Sequence, residues 1–172
     1  VLVVRILKLI LLGLLIFSAV VCGISFILPS GIRISRTIRI DAGKDSVMKE
    51  FIDPLKWKEW YPGADTAGIF YESGSIKGLV LKEHPRLSLV ISEIHENEVL
   101  TTYIKTSSSP TMHSIWRTIP ETSLNHVTIQ WYLDLHFRWY PWEKFSSLMY
   151  DKLYGALMDR GLDNLKKRIE VR

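Results

Sequence analysis

The feature that most constrains this chain is a run of 24 residues, Leu9–Ile32, that contains no charged side chain. A helix rises about 1.5 Å per residue, so about 20 such residues cross a hydrocarbon core of about 30 Å. Leu9–Leu28 satisfies that length, and Pro29, a residue that ends helices, follows directly. The sequence therefore predicts a transmembrane anchor over residues 1–31 and a folded domain over residues 32–172.

The run also has two alternative interpretations, a cleaved signal peptide and a buried helix of a soluble protein. A signal peptide has an apolar region of about 7–15 residues, which is shorter than this run. Valine precedes Cys22, so the site for lipoprotein cleavage is poor. An uncleaved single-pass helix is therefore the favoured interpretation.

Basic residues flank both ends of the run, and their positions bear on membrane orientation. They are Arg5 and Lys8 on one side and Arg33, Arg36 and Arg39 on the other. Because the two numbers are similar, the positive-inside rule leaves the side of the soluble domain unresolved. The predicted localisation is a membrane, without a side.

Composition limits the kinds of partner. Charged residues are 23% and hydrophobic residues 47% of the 172 positions, which is typical of a globular domain rather than a disordered chain. The net charge of +4 is spread among interleaved acidic and basic residues, so binding to nucleic acid is not expected. The single cysteine, Cys22, permits no intrachain disulfide and does not identify a compartment.

Apolar residues alternate along seven segments of the chain after the anchor, as in half-buried strands. The predicted strands are residues 32–41, 67–72, 76–83, 87–95, 99–105, 112–119 and 124–137, with one short helix ending at Ile52 and another beginning at Pro54. After Pro141 the period becomes helical for about 25 residues. Two apolar stripes follow one another on this helix: Phe145, Leu148, Met149, Leu153 and Ala156, then Met158, Leu162, Leu165 and Ile169.

This order of elements predicts an α+β fold. Consecutive strands with short connections favour antiparallel pairing, and the long terminal helix is the only element large enough to cover the sheet. A strongly curved sheet wrapped around one helix leaves a gap between them. That gap is the candidate apolar cavity.

The same order resembles the helix-grip fold of the START-like SRPBCC superfamily, in particular bacterial polyketide cyclase/dehydrase-like members with an N-terminal membrane helix. Four segments carry the resemblance: Ile27–Ser30 with Ser35–Ile40, the tryptophan-rich Leu55–Pro62, the strand Val127–Trp131, and Arg160–Lys167. The resemblance implies a hydrophobic cavity that binds lipids, polyketides or other apolar molecules. It implies no particular reaction, because folds of this kind serve many functions.

The residues expected to bind such a ligand are those on the apolar faces of the sheet and helices. In this fold the same surface forms both core and cavity wall, so most of them are equally explained as core residues. The candidates are Trp57, Trp60, Leu89, Ile91, Trp116, Trp131, Phe145, Met149 and Leu153.

Catalytic signals are weak. Glu93 and His95 share a predicted strand face with Leu89 and Ile91, and in a cavity their altered pKa values would suit proton transfer. Near a strand end, however, such side chains usually reach water. Arg117 could pair with a ligand carboxylate, although a surface ion pair is the favoured interpretation.

No metal or other cofactor is expected. The histidines His84, His95, His113, His126 and His136 lack ligand spacing, and the chain has no nucleophile elbow or phosphate-binding loop.

The favoured hypothesis is therefore a membrane-tethered domain that binds a hydrophobic small molecule or lipid without transforming it. The alternative is a polyketide cyclase or dehydratase-like enzyme with an apolar substrate, which would need Glu93, His95 or Arg117. A third hypothesis is a module that binds another membrane protein through the aromatic cluster at residues 139–142. That cluster could equally enter the lipid interface or pack under the sheet edge.

Overall fold

The computed structural model describes residues 2–82, 87–105, 111–121, 125–138 and 140–171. The elements in chain order are α1 (Leu2–Ile27), β1 (Gly31–Ile40), α2 (Lys44–Ile52), α3 (Pro54–Trp60), β2 (Gly68–Glu72), β3 (Ser75–Leu81), β4 (Leu87–His95), β5 (Glu98–Lys105), β6 (Thr111–Pro120), β7 (Val127–His136) and α4 (Pro141–Glu170). The predicted α+β helix-grip class is confirmed. Residues 83 and 124 of two predicted strands lie outside the described residues, as do His84 and Trp139.

The seven strands form one antiparallel sheet in the order β1-β7-β6-β5-β4-β3-β2. All neighbours are consecutive hairpin strands except β1, which pairs with β7 from Gly31 opposite His136 to Ile40 opposite Val127. The chain leaves β1 through α2 and α3, which lie over the sheet before β2 begins. Strand β7 alternates buried and partly exposed residues along its length, as its sequence pattern predicts.

Strand β4 contains a β-bulge that changes which way its side chains point. Its pairing register with β5 shifts between Ile91 and Glu93, so Ser92 is an extra residue. Leu89 before the bulge is fully buried, whereas every residue from Ser92 to His95 is exposed. The apolar face predicted to continue as far as His95 is therefore interrupted at Ile91.

The second half of α4 covers the sheet. Met158, Leu162 and Leu165 are buried in the core. Gly161 allows this close packing, because a Cβ atom there would lie 2.7 Å from the ring of Trp131. The later of the two predicted helical stripes is thus the one that closes the domain.

The first half of α4 exposes its apolar residues instead. Trp142, Phe145, Met149 and Leu153 are 68%, 38%, 73% and 65% exposed, and we call these four residues the outer stripe. On the opposite side of the helix, Lys144 is buried where α1 meets α4. The two stripes of α4 therefore have opposite environments.

Helix α1 projects from the domain. It is long and apolar enough to cross a membrane over Val3–Ile27, and nearly all of its apolar side chains are exposed. Its last turn is joined to α4 through Lys144 Nζ, which donates hydrogen bonds of 2.9 Å to the carbonyl oxygens of Ser25 and Leu28.

Candidate ligand-binding site

Tryptophan rings fill much of the space between the sheet and the helices. Trp57, Trp60, Trp116 and Trp131 are each no more than 1% exposed. The ring centroid of Trp116 lies 5.0 Å from that of Trp57 and 5.2 Å from that of Trp60, both nearly edge to face. Edge-to-face packing is a favourable geometry for aromatic rings. These four residues, which the sequence predicts to bind the ligand, pack against one another in the core.

Hydrogen bonds hold two of these rings in place. The indole nitrogen of Trp57 donates to the carbonyl oxygen of Phe51 at 2.9 Å, and that of Trp131 donates to Ser114 Oγ at 2.8 Å. A buried indole N–H without a partner would be destabilising, so each bond favours one ring orientation. The indole N–H groups of Trp60 and Trp116 have no hydrogen-bond partner among the described residues, so close packing alone holds these two rings in the wall that the cluster forms.

A cavity of about 110 Å³ lies beside this wall, between the sheet and α4. It has room for only about three or four groups of the size of a water molecule. Its lining is apolar apart from three phenols: Tyr61, Pro62, Gly63, Leu81, Leu87, Tyr103, Met112, Tyr154 and Leu157.

The end of α3 positions one wall of the cavity. The backbone N–H of Tyr61 donates to the carbonyl oxygen of Trp57 at 2.7 Å and ends the helix. Gly63 then adopts a φ of 78°, which glycine accepts without a steric penalty. This turn places Tyr61, Pro62 and Gly63 opposite α4.

Three tyrosine hydroxyls give the cavity its polarity. The hydroxyls of Tyr61 and Tyr103 share a hydrogen bond. Burial raises the pKa of both, and burial also raises the pKa of Tyr154. All three phenols therefore stay protonated at neutral pH, so they can donate hydrogen bonds but do not act as bases.

A shallower depression of about 240 Å³ adjoins the cavity, and we call it the mouth. Both spaces share Pro62, Gly63 and Leu157 in their walls. The mouth adds Leu153 of the outer stripe and Arg160, which makes no ion pair with any described residue. An apolar interior with a cationic rim is suited to an amphiphile.

The other predicted ligand-binding residues lie elsewhere. Leu89 is buried in the core and Ile91 packs against its edge. Phe145 and Met149 are in the outer stripe, and Leu153 reaches the mouth. None of the nine candidates is among the residues that line the cavity of about 110 Å³.

The three weak catalytic candidates are on the outer surface of the domain. Glu93 Oε2 and His95 Nε2 lie 3.1 Å apart, and both side chains are about 60% exposed. Arg117 forms an ion pair of 2.6 Å with Glu98. The structure places none of these three side chains at the cavity.

The tyrosines were missed by the sequence reasoning, although one signal was present. Tyr61 directly follows Trp60 in the tryptophan-rich segment, where Trp57 and Trp60 are predicted to bind the ligand and Tyr61 is not. The parity of β5 places Tyr103 on the same face as the buried Thr101. Among the described residues, no three His, Cys, Asp or Glu side chains lie close enough together to bind a metal ion.

No protein-family model matches the chain, and no curated protein matches it by sequence. Solved structures do match. A START superfamily protein from Mycobacterium smegmatis superimposes with a TM-score of 0.59 at 17% identity, over 80% of this chain and 97% of the other. The chain therefore has the START-like helix-grip fold.

Two further solved structures have the same fold. CalU16 from Micromonospora echinospora matches with a TM-score of 0.56 at 17% identity, over 80% of this chain and 73% of its own. A norcoclaurine synthase point mutant from Thalictrum flavum, in complex with a transition-state analogue, matches with a TM-score of 0.61 at 12% identity, over 81% and 94% of the two chains. At these identities the similarity establishes the fold alone, and the predicted superfamily resemblance is confirmed at that level.

Proposed function

We propose that this protein binds a hydrophobic small molecule or a lipid in the cavity between the sheet and α4, and that α1 anchors it in a membrane as a single-pass helix. Residues 1–31 form the anchor and residues 32–172 the binding domain in this proposal. The observation that carries it is the tyrosine-lined cavity, which shares Pro62, Gly63 and Leu157 with the mouth beside the outer stripe.

The cavity lining indicates the ligand chemistry. Leu81, Leu87, Met112 and Leu157 favour an apolar group, and the buried phenols supply hydrogen-bond donors for one or two oxygens. Since 110 Å³ holds only a few carbon atoms, the inner cavity accepts the end of a chain or a small ring. The rest of the ligand lies in the mouth, where Arg160 would pair with a carboxylate or phosphate.

The exposure of α1 supports the anchor. The core helix of a soluble protein is mostly buried, whereas this helix exposes nearly all of its apolar surface. The hydrogen bonds from Lys144 to the carbonyl oxygens of Ser25 and Leu28 join the end of this helix to the folded domain.

Native mass spectrometry of the full chain, released from detergent micelles with and without added oleate, tests the binding. We expect an apolar small molecule or oleate on the wild type. Leu157→Trp fills the cavity and should remove it, whereas Met149→Trp adds the same ring to the exposed outer stripe and should retain it. A wild type that stays empty, or adducts that Leu157→Trp does not displace, would contradict the proposal.

A second candidate function is catalysis in the same cavity, as a polyketide cyclase or dehydratase-like enzyme acting on an apolar substrate. The hydrogen-bonded pair of Tyr61 and Tyr103 favours it, because protonated phenols can polarise a substrate carbonyl. Glu93, His95 and Arg117 would have to act from the outer surface. Tyr103→Phe should then leave binding intact and stop conversion, whereas recovery of the same unchanged molecule from both forms would exclude a catalytic role for this hydroxyl.

A further inference from the structure

The outer stripe of α4 is a continuous apolar surface. With 3.6 residues per turn, Trp142, Phe145, Met149 and Leu153 fall within about 80° of the helix circumference. All four are exposed, and the rings of Tyr140 and Trp142 stack at 4.9 Å at one end of the stripe. An exposed apolar surface of this kind marks a contact site for a protein or a membrane.

The crossing of α1 and α4 shows which way the stripe faces. Trp142 and Lys144 point to opposite sides of α4, about 200° apart. Lys144 bonds to Ser25 and Leu28 near the end of α1, whereas Trp142 shares an apolar crevice with Ser18, farther back along α1. The stripe side of α4 is therefore turned toward the uncharged middle of α1, from Leu11 to Cys22.

We propose that the outer stripe lies in the surface of the same bilayer that α1 spans, so that the domain has a second membrane contact. This inference rests on the proposed anchor. The α1 residues that line the crevice with Trp142 run from Leu11 to Cys22, and Cys22 lies about 8 Å before the end of the helix. Interfacial helices bury their apolar face to about that depth, and Trp and Tyr are enriched there.

The position of Leu153 links this contact to the cavity. It is the last residue of the outer stripe and also part of the mouth. Trp142 and Leu153 are 11 residues apart, or about 16 Å along α4, so the stripe connects the α1 crevice to the mouth. The mouth then opens at the lipid surface, and the ligand is a membrane lipid or an apolar molecule dissolved in the membrane.

Site-specific labelling of the full chain tests the inference. In a Cys22→Ser background, single cysteines introduced by Trp142→Cys, Phe145→Cys, Met149→Cys and Leu153→Cys each receive an environment-sensitive fluorophore in vesicles of phosphatidylcholine and phosphatidylglycerol. Leu14→Cys reports on the anchor, and Ser75→Cys, exposed on β3, reports on water. Near-ultraviolet circular dichroism of the tryptophan core verifies folding of each variant.

We expect all four stripe labels to be quenched by lipids that carry a shallow spin label and shielded from iodide, while the label at Ser75 is quenched by iodide. Iodide access at the stripe with a lipid-embedded label at Leu14 would overturn the second contact and leave the anchor standing. Iodide access at Leu14 would overturn the anchor itself. If the stripe labels are shielded from iodide in native membranes but not in pure lipid vesicles, the stripe contacts a membrane protein and not the bilayer, and the proposal is overturned.

Discussion

The two halves of α4 have similar apolar periodicity and opposite environments. In the second half, Leu162 and Leu165 are buried against the sheet; in the first half, Met149 and Leu153 are exposed. The difference comes from which side chains meet the neighbouring elements: the second half places its apolar stripe against the sheet, whereas in the first half Tyr150 packs on Phe137 and Lys144 bonds to α1, and the apolar stripe stays outside. A stripe of apolar residues therefore identifies a face of a helix but not what covers that face.

The largest expected effect is on stability, when the same Leu→Ala substitution is made in each half of α4. Leu165→Ala should lower the free energy of unfolding by about 2–5 kcal/mol, because it leaves a void in a packed core. Leu153→Ala should change it by less than about 0.5 kcal/mol in detergent. Denaturant unfolding of the full chain measures both, and equal losses would show that the first half also contributes to the core.

The second-largest loss of stability is expected at the junction between α1 and α4. Lys144→Met removes two charge-assisted hydrogen bonds and should cost about 1.5–3 kcal/mol, together with faster proteolysis between α1 and β1. Lys152→Met, at an exposed position of the same helix, is the control and should have little effect. If both variants behave alike in thermal unfolding and proteolysis, α1 is not fixed to α4 by Lys144.

Two glycines where the halves meet give a finer comparison. A Cβ at Gly161 would press on the buried Trp131 ring, so Gly161→Ala should cost about 1–2 kcal/mol despite the better helix propensity of alanine. The three atoms nearest to a Cβ at Gly155 all belong to the guanidinium of Arg36, a flexible group whose ion pairs with Asp151 and Asp159 are largely exposed, so Gly155→Ala should cost less than Gly161→Ala. The reverse order in thermal unfolding would contradict the described packing of α4.

The smallest effect belongs to an exposed polar contact. The hydrogen bonds from Arg33 lower the pKa of Asp134, but the Arg33 side chain is 59% exposed, so the pair should contribute under about 1 kcal/mol. Because the folded pKa lies below the unfolded value, this contribution is present above about pH 4 and is lost as the pH falls through the folded pKa. Unfolding of Arg33→Gln and wild type should differ slightly at pH 7 and converge in acid; a difference that persists at low pH would exclude this pair as its cause.

Much of the fold could be predicted from local patterns. The alternation in β7 and the helical period after Pro141 each reflect one buried face, and their order limited the architecture to a sheet covered by one helix. The bulge at Ser92 could not be predicted, because an extra residue in a strand leaves no signal in composition.

The candidate site was harder to predict than the fold. Core and cavity wall have the same residue types, so the tryptophans that close the interior were indistinguishable from those that would line a pocket. The space remains open at Tyr61, Tyr103 and Tyr154, where a helix end, a strand and α4 meet, and that convergence depends on tertiary geometry. Likewise, the sequence could not predict which side of α1 the outer stripe faces, because that depends on how α1 and α4 cross in the folded protein.

Photocrosslinking with a diazirine-bearing palmitate, dissolved in nanodiscs that contain the full chain, tests whether the cavity takes its ligand from the membrane. We expect crosslinks on α1, and also on the cavity segments that contain Tyr61, Tyr103 and Leu157, with only the cavity crosslinks lost in Leu157→Trp. Crosslinks confined to α1, with the cavity segments unmodified in the wild type, would contradict a cavity that takes its ligand from the membrane.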